Sequence, residues 1–202
     1  VGEAKITQGI HAKHGIAMME NWRKYAPPGA SAEEVGEFVA TQLPTSLQWK
    51  DIETFRKLWP RPLILKGIMR ADDAQRAADI GVDGLIVSNH GARQLDRAPS
   101  ALDALPHLDA AVGDRMTLMI DGGFRRGSDI VIAKAMGAKF VWLGRPTLYG
   151  VIAGGDAGAA KAVHIVHDEI KKIMAQIGCP ALDQLGPDYL FDEIMIGRNA
   201  PQ

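Results

Sequence analysis

The chain has 202 residues, 47% of them hydrophobic and 23% charged, with 23 Lys and Arg against 24 Asp and Glu for a net charge of -1. That length suits a single domain, and the even charge balance gives no bulk attraction to nucleic acid. Cys179 is the one cysteine; a disulfide framework is excluded, the balance fits a cytoplasmic, reducing compartment, and no apolar run reaches the roughly 18 residues of a spanning helix.

Val1 is the first residue, and no charged-then-apolar leader follows it, so the sequence is expected to begin inside a longer protein. Residues 1–45 read as a loop or helical segment. His11 and His14 stand three apart there, enough for two ligands on one helical face, but no third ligand accompanies them and no metal site is expected. Pro27-Pro28-Gly29 marks a turn, and Ser31-Ala32-Glu33-Glu34 reads as a helix N-cap box. Met18, Met19, Trp22, Lys24 and Tyr25 have the composition of an interfacial patch, or of a soluble loop or helix.

From residue 51 the pattern becomes regular. An amphipathic helix is predicted over 51–59, a strand over 63–65, a helix over 71–80 stopped by Gly81, and a strand over 84–88. A helix over 100–112 follows, stopped by Gly113; then a strand over 116–120, a helix over 127–136 stopped by Gly137, and a strand over 140–143. A helix over 158–177 ends at Gly178 and Pro180. Four apolar strands alternating with helices predict a parallel sheet buried on both faces. Even spacing of the strand ends, and the lack of a Gly-x-Gly-x-x-Gly turn, favour a (β/α) barrel over a dinucleotide-binding sheet. Four units are half of the eight that a barrel needs.

The reactive residues fall at the carboxyl ends of those strands, where barrel enzymes keep their sites. Lys66 ends the first, a cation suited to a cofactor ring or phosphate, or a side chain that merely reaches solvent. Ser88-Asn89-His90-Gly91-Ala92-Arg93-Gln94-Leu95-Asp96 follows the second. His90 there suits removal of a hydroxyl proton, and Arg93 suits a two-pronged grip on a carboxylate. Asp121-Gly122-Gly123-Phe124-Arg125-Arg126-Gly127 follows the third, with Gly144-Arg145 after the fourth. Together these two read as a phosphate grip built on free N–H groups at a helix start, with Asp121 as an acceptor for the hydroxyls of a ribityl or sugar chain.

These four motifs together resemble the FMN-dependent α-hydroxy acid oxidase/dehydrogenase family, whose members oxidise glycolate, lactate and mandelate. The resemblance covers residues 46–190, leaves 191–202 as a tail, and corresponds to the carboxyl-terminal half, strands five to eight, of a (β/α)8 TIM barrel. Segments 123–130, 147–150, 176–180 and 187–190 look closest to the mandelate dehydrogenase branch. The resemblance implies FMN as cofactor and oxidation of an (S)-2-hydroxy acid to the 2-oxo acid, with an aromatic acid such as mandelate expected before lactate. It assigns His90 as base, with His90 and Arg93 binding the substrate. Lys66 is assigned to the flavin N1–C2=O edge and Ser88 to the flavin. Asp121, Gly122, Gly123, Phe124 and Arg125 are assigned to the ribityl and phosphate, and Gly144 and Arg145 complete the phosphate site.

The family's first four strands have no counterpart here, and with them go a substrate-side tyrosine and an aspartate partner for the histidine. The resemblance therefore implies a missing amino-terminal barrel half as partner, an electron acceptor (oxygen, a quinone or a cytochrome) and a homo-oligomer, a tetramer being common in the family. It also implies peripheral membrane contact through the segment before strand five, as an alternative to a wholly cytoplasmic location. Two other functions stay open on sequence: an isoprenoid diphosphate isomerase sharing the phosphate loop, and a non-catalytic barrel fragment.

Overall fold

The computed structural model describes residues 15–42 and 46–191. The chain divides into two compact units, Val1–Asp51 and Ile52–Gln202. His11 and His14, and the tail beyond residue 191, lie outside the described residues.

In the first unit, helix α1 spans Glu20–Arg23 and helix α2 spans Ala32–Gln42. The expected N-cap box starts α2. Ser31 N–H donates to the Glu34 carboxylate at 2.7 Å, and Glu34 N–H donates to Ser31 Oγ at 3.2 Å. The Ser31 N–H, and then its hydroxyl, hold the Glu34 carboxyl below its ordinary range. Trp22 and Tyr25 meet edge to face at 6.0 Å, with Lys24 Nζ 4.8 Å above the Tyr25 ring. Met19 and Tyr25 are exposed. Among the described residues no helix is long and apolar enough to cross a membrane.

The second unit follows helix α3 (Trp49–Leu58) with β1 (Ile64–Lys66), α4 (Ala71–Ile80), β2 (Gly84–Val87), α5 (Ala101–Val112), β3 (Thr117–Ile120), α6 (Gly127–Ala135), β4 (Phe140–Val141) and α7 (Arg145–Gln176). Short 3-10 turns occupy His90–Ala92, Leu182–Gln184 and Pro187–Tyr189. The strands form one parallel sheet in the order β1-β2-β3-β4. In register, Lys66 lies beside Ile86, Val87 beside Ile120, and Ile120 beside Val141. Parallel crossovers are right-handed, so strands added one after another in a single direction place every connecting helix on one face. That winding belongs to a barrel rather than to a doubly wound sheet, and the fold is a partial (β/α) barrel of four units.

Burial follows position in the sheet. Leu85 and Val87 of β2, Ile120 of β3, and Leu105, Leu108 and Val112 of α5 are fully buried, each contributing about 1.5–3 kcal/mol by leaving water. Ala74 and Ala77 give α4 a small-residue face, and Gly81 ends it at φ +87, a conformation open to glycine.

Two expectations, on strand burial and on the last helix, need correction, and a third, on Gly113, holds for a reason of size. Burial on both faces holds for β2 and β3 but not for the outer strands: Ile64 is 45% and Phe140 53% exposed, because no further strand among the described residues covers those edges. Gly113 does close α5, yet at a right-handed φ of -63. Its small size is what matters there, since a Cβ would stand 2.4 Å from Asp109 Oδ1. The last helix begins at Arg145 rather than near 158, with Pro146 in its first turn and a break at Gly154 and Gly155. Those two glycines hid the first segment.

At the amino-terminal ends of the strands, Arg56 of α3 donates to Gly81 O at 3.1 Å, Asp83 Oδ2 at 2.7 Å and Arg61 O at 2.6 Å, and also to Trp59 O. Asp83 accepts Leu63 N–H at 2.7 Å as well. This clamp fixes where β1 and β2 begin.

Candidate active site

The opposite ends of the strands gather the residues picked out by sequence. Lys66 Nζ lies 2.9 Å from Asp121 Oδ2 and donates to Ser88 Oγ at 3.0 Å. Ser88 is 1% exposed, and its oxygen also accepts His90 N–H at 3.1 Å. Three adjacent strands thus meet through one lysine. A partly exposed ion pair of this kind is worth about 1 kcal/mol or less, so its chief effect is orientation. Asp121, expected as a hydroxyl acceptor, is engaged with Lys66, and the cost of the strand-end cation is offset within the chain itself.

His90, Gly91 and Ala92 form a left-handed turn, at φ +55, +65 and +58. Left-handed backbone costs about 1–2 kcal/mol for each residue that carries a Cβ, so His90 and Ala92 need compensation. Ser88 Oγ supplies one bond. Asn89 Oδ1 accepts from Gly91 N–H at 2.9 Å and from Ala92 N–H at 3.3 Å, while Asn89 Nδ2 donates to Pro99 O at 3.0 Å. At about 1 kcal/mol each, these bonds match the strain. Such strain collects at functional sites. Gly67, at φ +95, passes beside the imidazole; a Cβ there would stand 4.0 Å from His90 Nδ1. His90 and Arg93 are exposed, and among the described residues the Arg93 side chain meets none of the other candidates.

The phosphate grip divides differently from expectation. At the start of α6, Arg125 and Arg126 N–H both donate to Asp129 Oδ2, at 2.8 and 2.9 Å. Gly127 N–H donates to Glu169 Oε2 at 2.7 Å, and the Arg126 guanidinium pairs with Glu169 Oε1 at 2.8 Å. The N–H groups of Arg125, Arg126 and Gly127, where the chain enters this helix, are therefore taken by two carboxylates of the chain. Phe124 is 6% exposed and anchors the loop in the core, so toward a ligand it offers backbone alone. Gly122 and Gly123 are exposed and left-handed, at φ +107 and +84. No side chain caps the start of α7 at Gly144, and among the described residues the guanidinium groups of Arg125 and Arg145 have no partner. Among the described residues no cluster of three metal-ligating side chains occurs.

Sequence reasoning passed over Asn89, Asp129 and Glu169. An Asn two residues before a glycine is an Asx-turn signal, and Asp129 sits three residues after Arg126, at the acidic position of a capping box. Glu169 acts from another helix and has no local signal.

Comparison with known proteins agrees with this architecture. Residues 3–192 match the family model for FMN-dependent dehydrogenase. L-lactate oxidase of Nostoc sp. is 46% identical over 153 residues, which cover 76% of this chain and 42% of that protein. (S)-Mandelate dehydrogenase of Pseudomonas putida is 41% identical over 181 residues, covering 90% of this chain and 45% of the enzyme. A crystal structure described as monotopic membrane protein (S)-mandelate dehydrogenase superposes with a TM-score of 0.82 at 41% identity, covering 89% of this chain and 47% of that one. The chain belongs to the FMN-dependent dehydrogenase family. It spans less than half the length of these relatives.

Proposed function

We propose that this chain is the carboxyl-terminal half of an FMN-dependent enzyme that oxidises an (S)-2-hydroxy acid to the 2-oxo acid. The observation that carries this reading is the strained turn presenting His90 and Arg93 beside the Lys66–Ser88–Asp121 group. Its residues fit the cofactor. A phosphate dianion suits the Arg125 and Arg145 side chains, which have no partner among the described residues, and the start of α7, which no described side chain caps. A flat ring suits the glycine backbone at Gly67 and Gly122, and Lys66 holds a positive charge where a ring edge gains negative charge.

FMN, when bound, would supply the acceptor for the two electrons and the hydrogen that leave the substrate α-carbon. Arg93 holds the substrate carboxylate through charge-assisted bonds and sets the α-carbon in place. His90 takes the hydroxyl proton as general base. Ser88 fixes His90 through its N–H and Lys66 through its ammonium. The open edges of β1 and β4 are where an amino-terminal half-barrel completes the sheet. Mandelate is the first candidate substrate, and lactate the second. The acceptor that reoxidises the enzyme is oxygen, a quinone or a cytochrome, and the complete protein is a homo-oligomer. Exposed Met19 and Tyr25, beside Trp22 and Lys24, form the surface for peripheral membrane contact, and sedimentation with anionic vesicles tests it.

The deciding experiment is anaerobic bleaching of the flavin. The chain is produced with its amino-terminal half, loaded with FMN and mixed with (S)-mandelate, (S)-lactate or glycolate. Bleaching by one of them is the expected result and ranks the substrates. Bound flavin that none of them bleaches overturns the hydroxy-acid reading in favour of a reaction such as isomerisation of an isoprenoid diphosphate. A folded complex that binds no flavin leaves a scaffold.

A further inference from the structure

We infer that Asn89 is the positioning residue for the His90–Arg93 pair, acting as a two-ended clamp on the turn that carries them. This rests on the reading of His90 as base and Arg93 as carboxylate ligand. His90 and Ala92 hold left-handed backbone, φ +55 and +58, that residues with a Cβ leave when nothing holds them there. A turn relaxed to negative φ would swing the imidazole away and carry Arg93 with it.

The hydrogen bonds show what prevents this. The Asn89 carbonyl oxygen accepts the N–H groups of both Gly91 and Ala92. The same side chain donates its amide N–H to Pro99 O. Pro99 directly precedes Ser100, which caps α5 by accepting Asp103 N–H at 3.1 Å. One side chain therefore ties the left-handed part of the loop to the start of a helix. Its oxygen also lies along the glycine backbone after β3, since a Cβ at Gly122 would stand 3.8 Å from it. The clamp thus references His90 to the loop that faces the flavin phosphate and ribityl chain.

An amide suits this task because it offers an acceptor and a donor on one short fork. Aspartate keeps the acceptor but turns an oxygen toward Pro99 O, and alanine removes both ends. Misplacing a reacting group by about 1 Å costs roughly 100-fold in rate. Asn89→Ala is therefore expected to slow flavin bleaching at saturating substrate by about 100-fold, with Asn89→Asp falling between it and the parent. The dissociation constant for FMN should stay within about twofold in both, because Asn89 is not a cofactor ligand on this assignment.

The test uses the complete FMN-loaded protein, with both variants and the parent. It measures bleaching rate against substrate concentration, flavin affinity, and hydrogen exchange at the Gly91 and Ala92 amides. The expected pattern is faster exchange at both amides in Asn89→Ala, retained protection in Asn89→Asp, and a loss in kcat that exceeds any change in KM. A parental bleaching rate in Asn89→Ala overturns the assignment. So does a rate lost only in step with flavin binding, which marks a general structural role. If no hydroxy acid bleaches the parent itself, the functional reading fails instead. The exchange data then judge the clamp alone, and unchanged exchange in Asn89→Ala overturns it.

Discussion

Helices α6 and α7 start alike in sequence and are built in opposite ways. Each follows a strand end through glycine and arginine, and each is a natural place for an anion. At α6 the N–H groups of Arg125, Arg126 and Gly127 are filled by Asp129 and Glu169, and Glu169 also pairs with the Arg126 side chain. At α7 no side chain caps Gly144. Two carboxylates at one start oppose a phosphate, while the other start keeps its positive end open. A glycine–arginine motif after a strand is thus a permission for anion binding, and its second neighbours decide whether the permission is used. The proposed phosphate position is therefore α7, with α6 offering the Gly122–Gly123 backbone and the Arg125 side chain.

The largest expected effect lies outside both helix starts and marks off the chemistry from the cofactor grip. His90→Gln should slow flavin bleaching by about 100- to 10,000-fold, the usual worth of a general base, and leave FMN affinity unchanged. Stopped-flow reduction and a flavin titration check both halves; a fast variant would remove His90 from its role.

The second effect breaks or confirms the comparison itself. Arg145→Ala should weaken FMN binding by about 10- to 100-fold, the range for losing one charged hydrogen bond worth roughly 1.5–3 kcal/mol. Arg126→Ala should change it by less than about threefold, because that guanidinium already serves Glu169. Equal losses in a fluorescence titration would mean that the carboxylates at α6 do not exclude the phosphate.

The smallest effect is a pH dependence at the far end of the sheet. The Leu63 N–H, and then the Arg56 guanidinium, hold the Asp83 carboxyl below its ordinary range. A depressed carboxyl adds stability that is present above the unfolded-state value and is lost as pH falls through the folded one. Unfolding by urea should therefore show the parent's advantage over Asp83→Asn at neutral pH and its decline in acid. A gap that stayed constant across that window would remove Asp83 from the pH response.

Much of this was written locally in the sequence. Ser31 and Glu34 announced the start of α2, Gly81 the end of α4, and Ser100 the region where α5 begins, because caps and left-handed stops act within a few residues. The helix over 71–80 and the parallel sheet emerged as read. The first segment of α7 stayed hidden because Gly154 and Gly155 imitate a loop, yet here they only break a helix. The site residues were legible by type and strand-end position, and their mutual arrangement was not. The pairing of Asp121 with Lys66 joins the ends of two strands that are not neighbours in the sheet, and the occupation of the α6 start by Glu169 reaches across two helices. Neither follows from spacing. The left-handed His90 is equally invisible, since it depends on Asn89 and Ser88 together and not on any preference of histidine.

Arg56 and Asp83 hold the starts of β1 and β2, whereas His90, Arg93 and the glycine loops hang from the other ends of the strands. Register is thereby settled at one pole and reactivity at the other. On the proposed reading, substitutions in the loop after β2 can alter which acid is accepted without touching the bonds that index the strands. A lineage using this scaffold can change its diet while inheriting the same frame.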